Sequence, residues 1–313
     1  MKKIFWTVII LLSISMTFTS CEDAVRISSE GGTTNTGLEG SILYASLVSG
    51  KWSIFIMNAD GSSKSAITEA GGNHVKGIAW SPDNEWIIFS SNASGAYEIY
   101  KVKRNSSLFT QITFDGSSWY GVGNVYPCWI NANEILYTTC RVDAGQKEIV
   151  RVNANGSGLN KLSNVHFIIS NYQFPCLAGP SRLIFSKGDV GSPASSTVWI
   201  ADYPCFGNQV LVADVDGSNS GDFYPDYYSD KIVFSSGNGN IYIVNSNGSN
   251  LTDVSMVQNV VDKEPHFSPK GSQVAFISDQ SGVDNIWVMN IDGSNRIQLT
   301  NNSQPNSIES LDW

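Results

Sequence analysis

The chain has 313 residues, 42% of them hydrophobic and 15% charged, enough apolar material for one large all-β domain or two ordinary ones and too much for a disordered chain. Nineteen Lys and Arg against 28 Asp and Glu give a net charge of −9, which becomes −11 if Lys2 and Lys3 leave with a cleaved leader. A field of that sign repels phosphate backbones, and no Lys/Arg cluster offsets it, which argues against nucleic acid as a partner.

Lys2-Lys3 precede an apolar run from Ile4 to Phe18 that only Ser and Thr interrupt. A charged start before a run too short for a comfortable bilayer span is the pattern of an export signal, expected over residues 1–20. Phe18-Thr19-Ser20-Cys21 follows, and small residues before a lone Cys at this place resemble a bacterial lipobox. That resemblance implies that the Cys21 thiol carries a diacylglycerol and becomes the mature N-terminus. Phe18 stands where Leu is usual, and the competing reading is an ordinary cleavage site with Cys21 there by chance. Glu22-Asp23 resembles the acidic tract that directs some Bacteroidetes lipoproteins to the cell surface. The expected location is the outer membrane, facing the periplasm or the cell surface, with the membrane touched through the lipid anchor only.

Residues 21–39 are rich in Ser, Thr and Gly and nearly free of large apolar groups, so they read as a flexible tether behind Cys21. The 18 residues after that Cys have a root-mean-square reach of roughly 24 Å.

From Gly40 to Trp313 a unit repeats. Its clearest copy runs from Glu264 to Thr300: Pro-His-Phe-Ser-Pro, Val-Ala-Phe-Ile, Ile-Trp-Val-Met-Asn, an Asp-Gly turn, then Ile-Gln-Leu-Thr. Short β-branched and aromatic runs bounded by Gly, Pro, Asn or Asp predict four antiparallel strands per unit. The second-strand aromatic recurs at Tyr44, Phe89, Tyr137, Phe185, Phe234 and Phe276, spaced by 45, 48, 48, 49 and 42 residues. The third strand recurs as often, from Ile54-Phe55-Ile56-Met57 to Ile286-Trp287-Val288-Met289. The second strands are apolar on consecutive residues, as in Ile87-Ile88-Phe89, so both of their faces are covered. The predicted fold is all-β: a six-bladed β-propeller of four-stranded antiparallel blades. The first-strand signature occurs only five times ahead of a second strand, and Ile308 to Trp313 supplies the sixth, so the C-terminal strand is expected to pair into blade 1 and close the ring.

The repeat resembles the TolB-type β-propeller repeat, whose pattern is Pro-x-Trp-Ser-Pro-Asp-Gly, Ile-x-Phe, Ile-Tyr-x-Met-Asn, Asp-Gly and Leu-Thr. Ala79 to Asn84 and Pro265 to Thr300 match it closely, and the other units match in outline. The resemblance implies an architecture and leaves function open. TolB itself carries an α/β domain ahead of its propeller, where this chain has the tether, so the partners of TolB are not carried over.

Asp60-Gly61, Asn155-Gly156, Asn247-Gly248 and Asp292-Gly293 each follow a third strand. A calcium loop of the EF-hand type needs Glu six residues after its Gly, and Ile67, Leu162, Val254 and Leu299 stand there, so these pairs read as turns. Ca²⁺ at the acidic stretch Asp214, Asp216, Asp222 and Asp226 is the one cofactor reading the sequence leaves open, beside loop solvation; no other cofactor is implied. Cys128, Cys140, Cys176 and Cys205 allow three pairings. Cys128 and Cys176 hold equivalent first-strand positions in consecutive blades, where the Cα separation is expected to exceed ~7 Å, and at least two of the four read as buried packing residues. No C-x-x-C and no G-x-S-x-G is present, and His266 lies within a first strand, so no residue is assigned a metal or catalytic role.

Loops from a fourth strand to the next first strand surround one mouth of a propeller channel. Here they hold many aromatic side chains beside His, Lys and acids, a combination suited to stacking on sugars or anchoring a peptide. The candidate binding mouth is His74, Lys76, Trp119, Tyr120, Tyr126, His166, Tyr172, Phe223, Tyr224, Asp262, Lys263 and Glu264. Tyr126, Phe174 and Tyr224, each directly before Pro, have the alternative of plugging the blade interfaces. The leading functional expectation is a monomeric, non-enzymatic binding or scaffold module of the cell envelope that engages a protein or glycan through this mouth. The alternative is a polysaccharide lyase or hydrolase with His74, His166, Asp262 and Glu264 around a metal, since some sugar lyases use propellers of this repeat type.

Overall fold

The computed structural model describes residues 40–69, 74–116, 123–140, 146–163, 170–189, 192–215, 221–255 and 257–313. These form six four-stranded antiparallel sheets. Blade 1 is β24 (Ile308–Asp312), β1 (Ser41–Val48), β2 (Lys51–Asn58) and β3 (Ser65–Glu69). Blade 2 is β4 (Val75–Trp80), β5 (Trp86–Ser91), β6 (Glu98–Lys103) and β7 (Phe109–Gln111). Blade 3 is β8 (Asn124–Asn131), β9 (Glu134–Cys140), β10 (Lys147–Asn153) and β11 (Asn160–Lys161). Blade 4 is β12 (Ser170–Leu177), β13 (Arg182–Asp189), β14 (Ser192–Asp202) and β15 (Val210–Ala213). Blade 5 is β16 (Asp222–Tyr228), β17 (Lys231–Ser236), β18 (Ile241–Asn245) and β19 (Thr252–Asp253). Blade 6 is β20 (Asp262–Phe267), β21 (Gln273–Ser278), β22 (Asn285–Asn290) and β23 (Ile297–Gln298). The innermost strands touch in the cyclic order β24, β4, β8, β12, β16, β20 and back to β24, so the sheets stand around a central axis.

The continuous apolarity of the second strands follows from that arrangement. On β1, Ile42 and Tyr44 pack with Ala275 and Ile277 of blade 6, whereas Leu43 and Ala45 pack with Ile78, Ile87 and Phe89 of blade 2. Each residue parity meets a different neighbour, and both faces are dry. Ile87, Ile88 and Phe89 are all 0% exposed, and burial of each such side chain contributes about 1.5–3 kcal/mol.

The ring closes as the repeat count requires. Strand β24 pairs antiparallel with β1, Asp312 opposite Leu43 and Leu311 opposite Tyr44. Ser307 O accepts from Leu47 N (2.8 Å) and from Ser46 Oγ (2.9 Å), and Trp313 is buried. The hairpin turns use Asn-x-Asp/Asn-Gly-Ser. Asp292 Oδ1 accepts from Ser294 N (3.0 Å) and Asn290 Nδ2 donates to Ser294 Oγ (2.9 Å), a pattern repeated by Asn155 and Asn153 and by Asn247 and Asn245. The side-chain oxygens of these turns are engaged by the turn itself.

A second recurring device explains the Leu-Thr signature. In blades 2, 3, 5 and 6 the hydroxyl after the short outer strand accepts the N–H at the start of the third strand: Thr113 from Ile99 (2.9 Å), Ser163 from Ile149 (2.8 Å), Ser255 from Ile241 (2.6 Å) and Thr300 from Ile286 (2.8 Å). Cys128, Cys140 and Cys176 are half-buried and Cys205 is exposed, so the burial expected of at least two of the four is only partial.

Candidate binding mouth and channel floor

The innermost strands all run inward from one face of the ring, since Ile308, first residue of β24, lies opposite Ser46 near the β1–β2 hairpin. The mouth at that face is built from the opening residues of these strands and from the hairpins between second and third strands.

Each innermost strand then bulges. In blades 3 to 6, Tyr126-Pro127, Phe174-Pro175, Tyr224-Pro225 and Glu264-Pro265 each oppose a single residue, respectively Tyr137, Phe185, Phe234 and Phe276. Two residues against one define a β-bulge, and the missing N–H of Pro costs no ladder bond there. The residue before each Pro is left-handed, with φ of 54°, 52°, 54° and 50° at Tyr126, Phe174, Tyr224 and Glu264. Such backbone costs on the order of 1–3 kcal/mol per non-Gly residue. It turns the side chains into the channel, where they meet. The Phe174 ring lies 4.2 Å from both Tyr126 and Tyr224, and Tyr126 and Tyr224, from blades that are not neighbours, are 5.8 Å apart. Phe223 packs 6.0 Å from Phe174. Blade 2 has Gly77 at this level (φ 84°), and a Cβ there would lie 2.6 Å from Tyr126 Cα, so only glycine leaves room for the tyrosine backbone. Glu264 of blade 6 and Ser310 of blade 1 complete the ring of six.

Three aromatic rings therefore close the channel as a floor a few residues below the mouth. Burial pushes the Tyr126 and Tyr224 hydroxyls up. It also pushes the Glu264 carboxyl up to about 7, against the lowering influence of His266, Lys263 and a hydrogen bond with Ser310.

Two residues further along the strands a second level couples neighbouring blades. Asp226 Oδ2 accepts from Phe267 N (2.8 Å) and Asp312 Oδ2 from Trp80 N (2.7 Å), each reaching into the next blade. Cys176 Sγ lies 3.5 Å from Asp226 Oδ1, and His266 Nδ1 lies 3.3 Å from Asp312 Oδ1. Burial alone would lower the His266 imidazole, but its hydrogen bond to Asp312 and the charges of Asp226, Asp312 and Glu264 raise it.

The rim above the floor is charged. His74 Nδ1 lies 3.4 Å from Glu309 Oε2, which also accepts from Val75 N (3.2 Å). Lys263 pairs with Asp284 at 3.0 Å. Lys76 Nζ sits 5.0 Å over the Tyr97 ring, and Lys147 Nζ donates to Gln173 Oε1. Burial, with repulsion from Lys76, pulls the Lys147 ammonium down. Among the described residues neither lysine has an ion-pair partner.

The sequence-derived set thus divides. Tyr126, Phe223, Tyr224 and Glu264 converge in the channel, on strands rather than in loops, and Tyr126, Phe174 and Tyr224 plug the axis rather than the blade interfaces. His74, Lys76 and Lys263 stand at the rim. Tyr172 does not reach the mouth: it is buried against Phe185 (5.7 Å) and Phe206 (5.3 Å). Asp262 is 1% exposed and held by Arg296 through two bonds of 2.9 and 3.0 Å. Cys21, Trp119, Tyr120 and His166 lie outside the described residues. Of the set offered for a lyase, the described members have other partners: His74 faces Glu309, Asp262 is held by Arg296 and Glu264 is hydrogen-bonded with Ser310. Of the acidic stretch, Asp222 accepts from Val215 N (3.3 Å) and Asp226 from Phe267 N; among the described residues no three His, Cys, Asp or Glu side chains converge as a metal site. Lys147, Gln173 and Glu309 are the residues that sequence reasoning missed, because only the closed ring brings a hairpin and the terminal strand to the same mouth.

Residues 39–189 match the family described as TolB beta propeller domain. "Tol-Pal system protein TolB" of Francisella tularensis subsp. tularensis (strain WY96-3418) is 22% identical over 271 residues, covering 84% of this chain and 59% of the relative. The chain accordingly spans about three-fifths of the length of the curated relatives it matches. Among solved structures, TolB from Acinetobacter baumannii aligns with a TM-score of 0.70 at 18% identity, over 89% of this chain and 68% of that one. The chain of a nidogen/laminin complex aligns at 0.63 and 11%, over 87% and 98%. An oligogalacturonate lyase in complex with manganese aligns at 0.51 and 12%, over 82% and 72%, a likeness of fold. Repeat, ring and matches agree: the chain folds as a six-bladed β-propeller closed by its own C-terminal strand, similar to the TolB beta propeller domain over residues 39–189.

Proposed function

We propose that this chain is a non-enzymatic binding propeller of the bacterial cell envelope, tethered to the outer membrane through a lipidated Cys21, that engages a protein partner through the mouth described above. The observation that carries this reading is the aromatic floor. An open channel offers a ligand only its walls, whereas Tyr126, Phe174 and Tyr224 turn the mouth into a bowl with an apolar base. Aromatic side chains at the centre of a polar rim are the composition of interface anchors. The rim adds direction: among the described residues Lys76 and Lys147 stand in no ion pair, and in a chain that is acidic overall they favour a partner segment bearing carboxylates. The relatives named as Tol-Pal system proteins lend support to an envelope role.

A photo-crosslinking amino acid placed at His74 or Lys263 tests the reading in intact cells, with Lys103, at the far end of β6, as the comparison site. Adducts from the rim positions and none from Lys103 are expected. Adducts from Lys103 alone, or equally from all three, would overturn it. Cys21→Ala is expected to move the protein from the membrane fraction to the soluble one; retention in the membrane would contradict the anchor.

A further inference from the structure

Strand β24 belongs to blade 1 only through hydrogen bonds with β1, so the ring is joined by a noncovalent seam. The contacts that hold β24 sideways are titratable on both flanks. Toward blade 6, Ser310 is hydrogen-bonded to the Glu264 carboxyl, and Asp312 Oδ1 lies 3.3 Å from His266 Nδ1. Toward blade 2, Glu309 accepts from Val75 N and faces His74 at 3.4 Å, while Asp312 Oδ2 accepts from Trp80 N at 2.7 Å. One five-residue strand thus carries two carboxylates and is flanked by a third carboxyl and two imidazoles.

We propose that β24 is a pH-responsive latch, which holds the ring closed most firmly at mildly acidic pH and loosens as the pH rises through neutrality, with Glu264 and His266 as the responding groups.

The direction follows from what faces each group. Glu264 meets Lys263 and His266 of its own strand, Glu309 and Ser310 of β24, Tyr224 of β16 and Tyr126 of β8. When protonated it shares hydrogen bonds with Ser310 and Tyr224 and adds no charge beside Glu309. When ionised it places a negative charge in a nearly water-free ring next to Glu309, whose own carboxyl burial already raises in spite of Val75 N, His74 and Lys76. His266 faces Asp312, Asp226 and Glu264. As imidazolium it makes a charge-assisted contact with the closing strand, and as neutral imidazole it loses that attraction. All three groups are raised, so over the interval between ordinary and raised values the folded seam binds more protons than the unfolded chain, and its stability falls as pH rises. For Glu264 that interval runs from 4.5 to about 7.

Hydrogen–deuterium exchange of the β24 amides, corrected for the intrinsic rate at each pH, reads the latch directly, with β13 on the far side of the ring as internal reference. Between pH 5.5 and 8 the protection of β24 is expected to fall roughly tenfold more than that of β13, and Glu264→Gln, which keeps a hydrogen-bonding group toward Ser310 and Tyr224, is expected to remove most of the difference. Equal pH responses of β24 and β13, or an unchanged response in the glutamine variant, would overturn the proposal. If Glu264→Gln does not fold, carboxyl ¹³C NMR of the wild-type chain decides: one glutamate titrating near neutrality supports the latch, and its absence overturns it.

Discussion

The two halves of the channel ring apply one backbone device to different ends. Blades 3, 4 and 5 fill it with Tyr126, Phe174 and Tyr224, which pack on one another across the axis. Blades 6, 1 and 2 fill it with Glu264, Ser310 and Gly77, a polar arc beside the seam where the chain ends meet. The repeat dictates the bulge and leaves its side chain free, so this position is where a common scaffold acquires individual chemistry. The aromatic half is rigid and uncharged; the polar half holds the molecule shut and responds to protons.

Substitutions at equivalent positions sharpen this contrast. Phe174→Ala removes the ring that touches both tyrosines, and a loss of about 3–5 kcal/mol is expected by chemical denaturation. Ser310→Ala, one hydrogen bond in the other half, is expected to cost about 1 kcal/mol, and equal losses would mean that the floor is not a packed unit. Next in size is Glu264→Gln. Relative to wild type it is expected to gain stability on the order of 3 kcal/mol at pH 8, where ionising the native carboxyl is fully costly, and to gain little below pH 4.5, where the carboxyl is protonated in both states. Denaturation midpoints at the two pH values check the sign. Gly77→Ala is expected to cost less than either of the two larger effects, about 2 kcal/mol, from a left-handed backbone and a Cβ set 2.6 Å from Tyr126 Cα. A neutral result there would show that blade 2 is not pressed against the floor.

The scaffold is legible in the sequence for a plain reason: both faces of every second strand are buried, so apolar runs and their aromatic markers survive in all six copies, and the count of first strands exposes the closure by Ile308–Asp312. The site is legible only in part. Tyr126, Phe174, Tyr224 and Glu264 read as loop residues because the residue before a proline favours extended or turn backbone, whereas the fold sets them in bulges within strands. Their shared register, one residue before a first-strand Pro in four consecutive blades, is the signal that reveals a ring. Asp262 reads as a mouth carboxylate because its partner Arg296 stands 34 residues away in the outer part of the same blade, and no local pattern links them. Tyr172 reads as a ligand-facing aromatic, yet side-chain alternation along β12 sends it into the packing between blades 3 and 4.

The binding role of the mouth is tested most directly by reversing two of its lysine charges. Lys76→Glu with Lys147→Glu is compared with Lys103→Glu and Lys270→Glu at the opposite face, and the yield of partner cross-linked through position 74 is measured in intact cells. The expected result is a roughly tenfold fall for the mouth pair, with unchanged thermal unfolding, and no change for the opposite pair. Undiminished cross-linking in the mouth variant, or an equal fall in both, would contradict the assignment of the bowl as the binding surface.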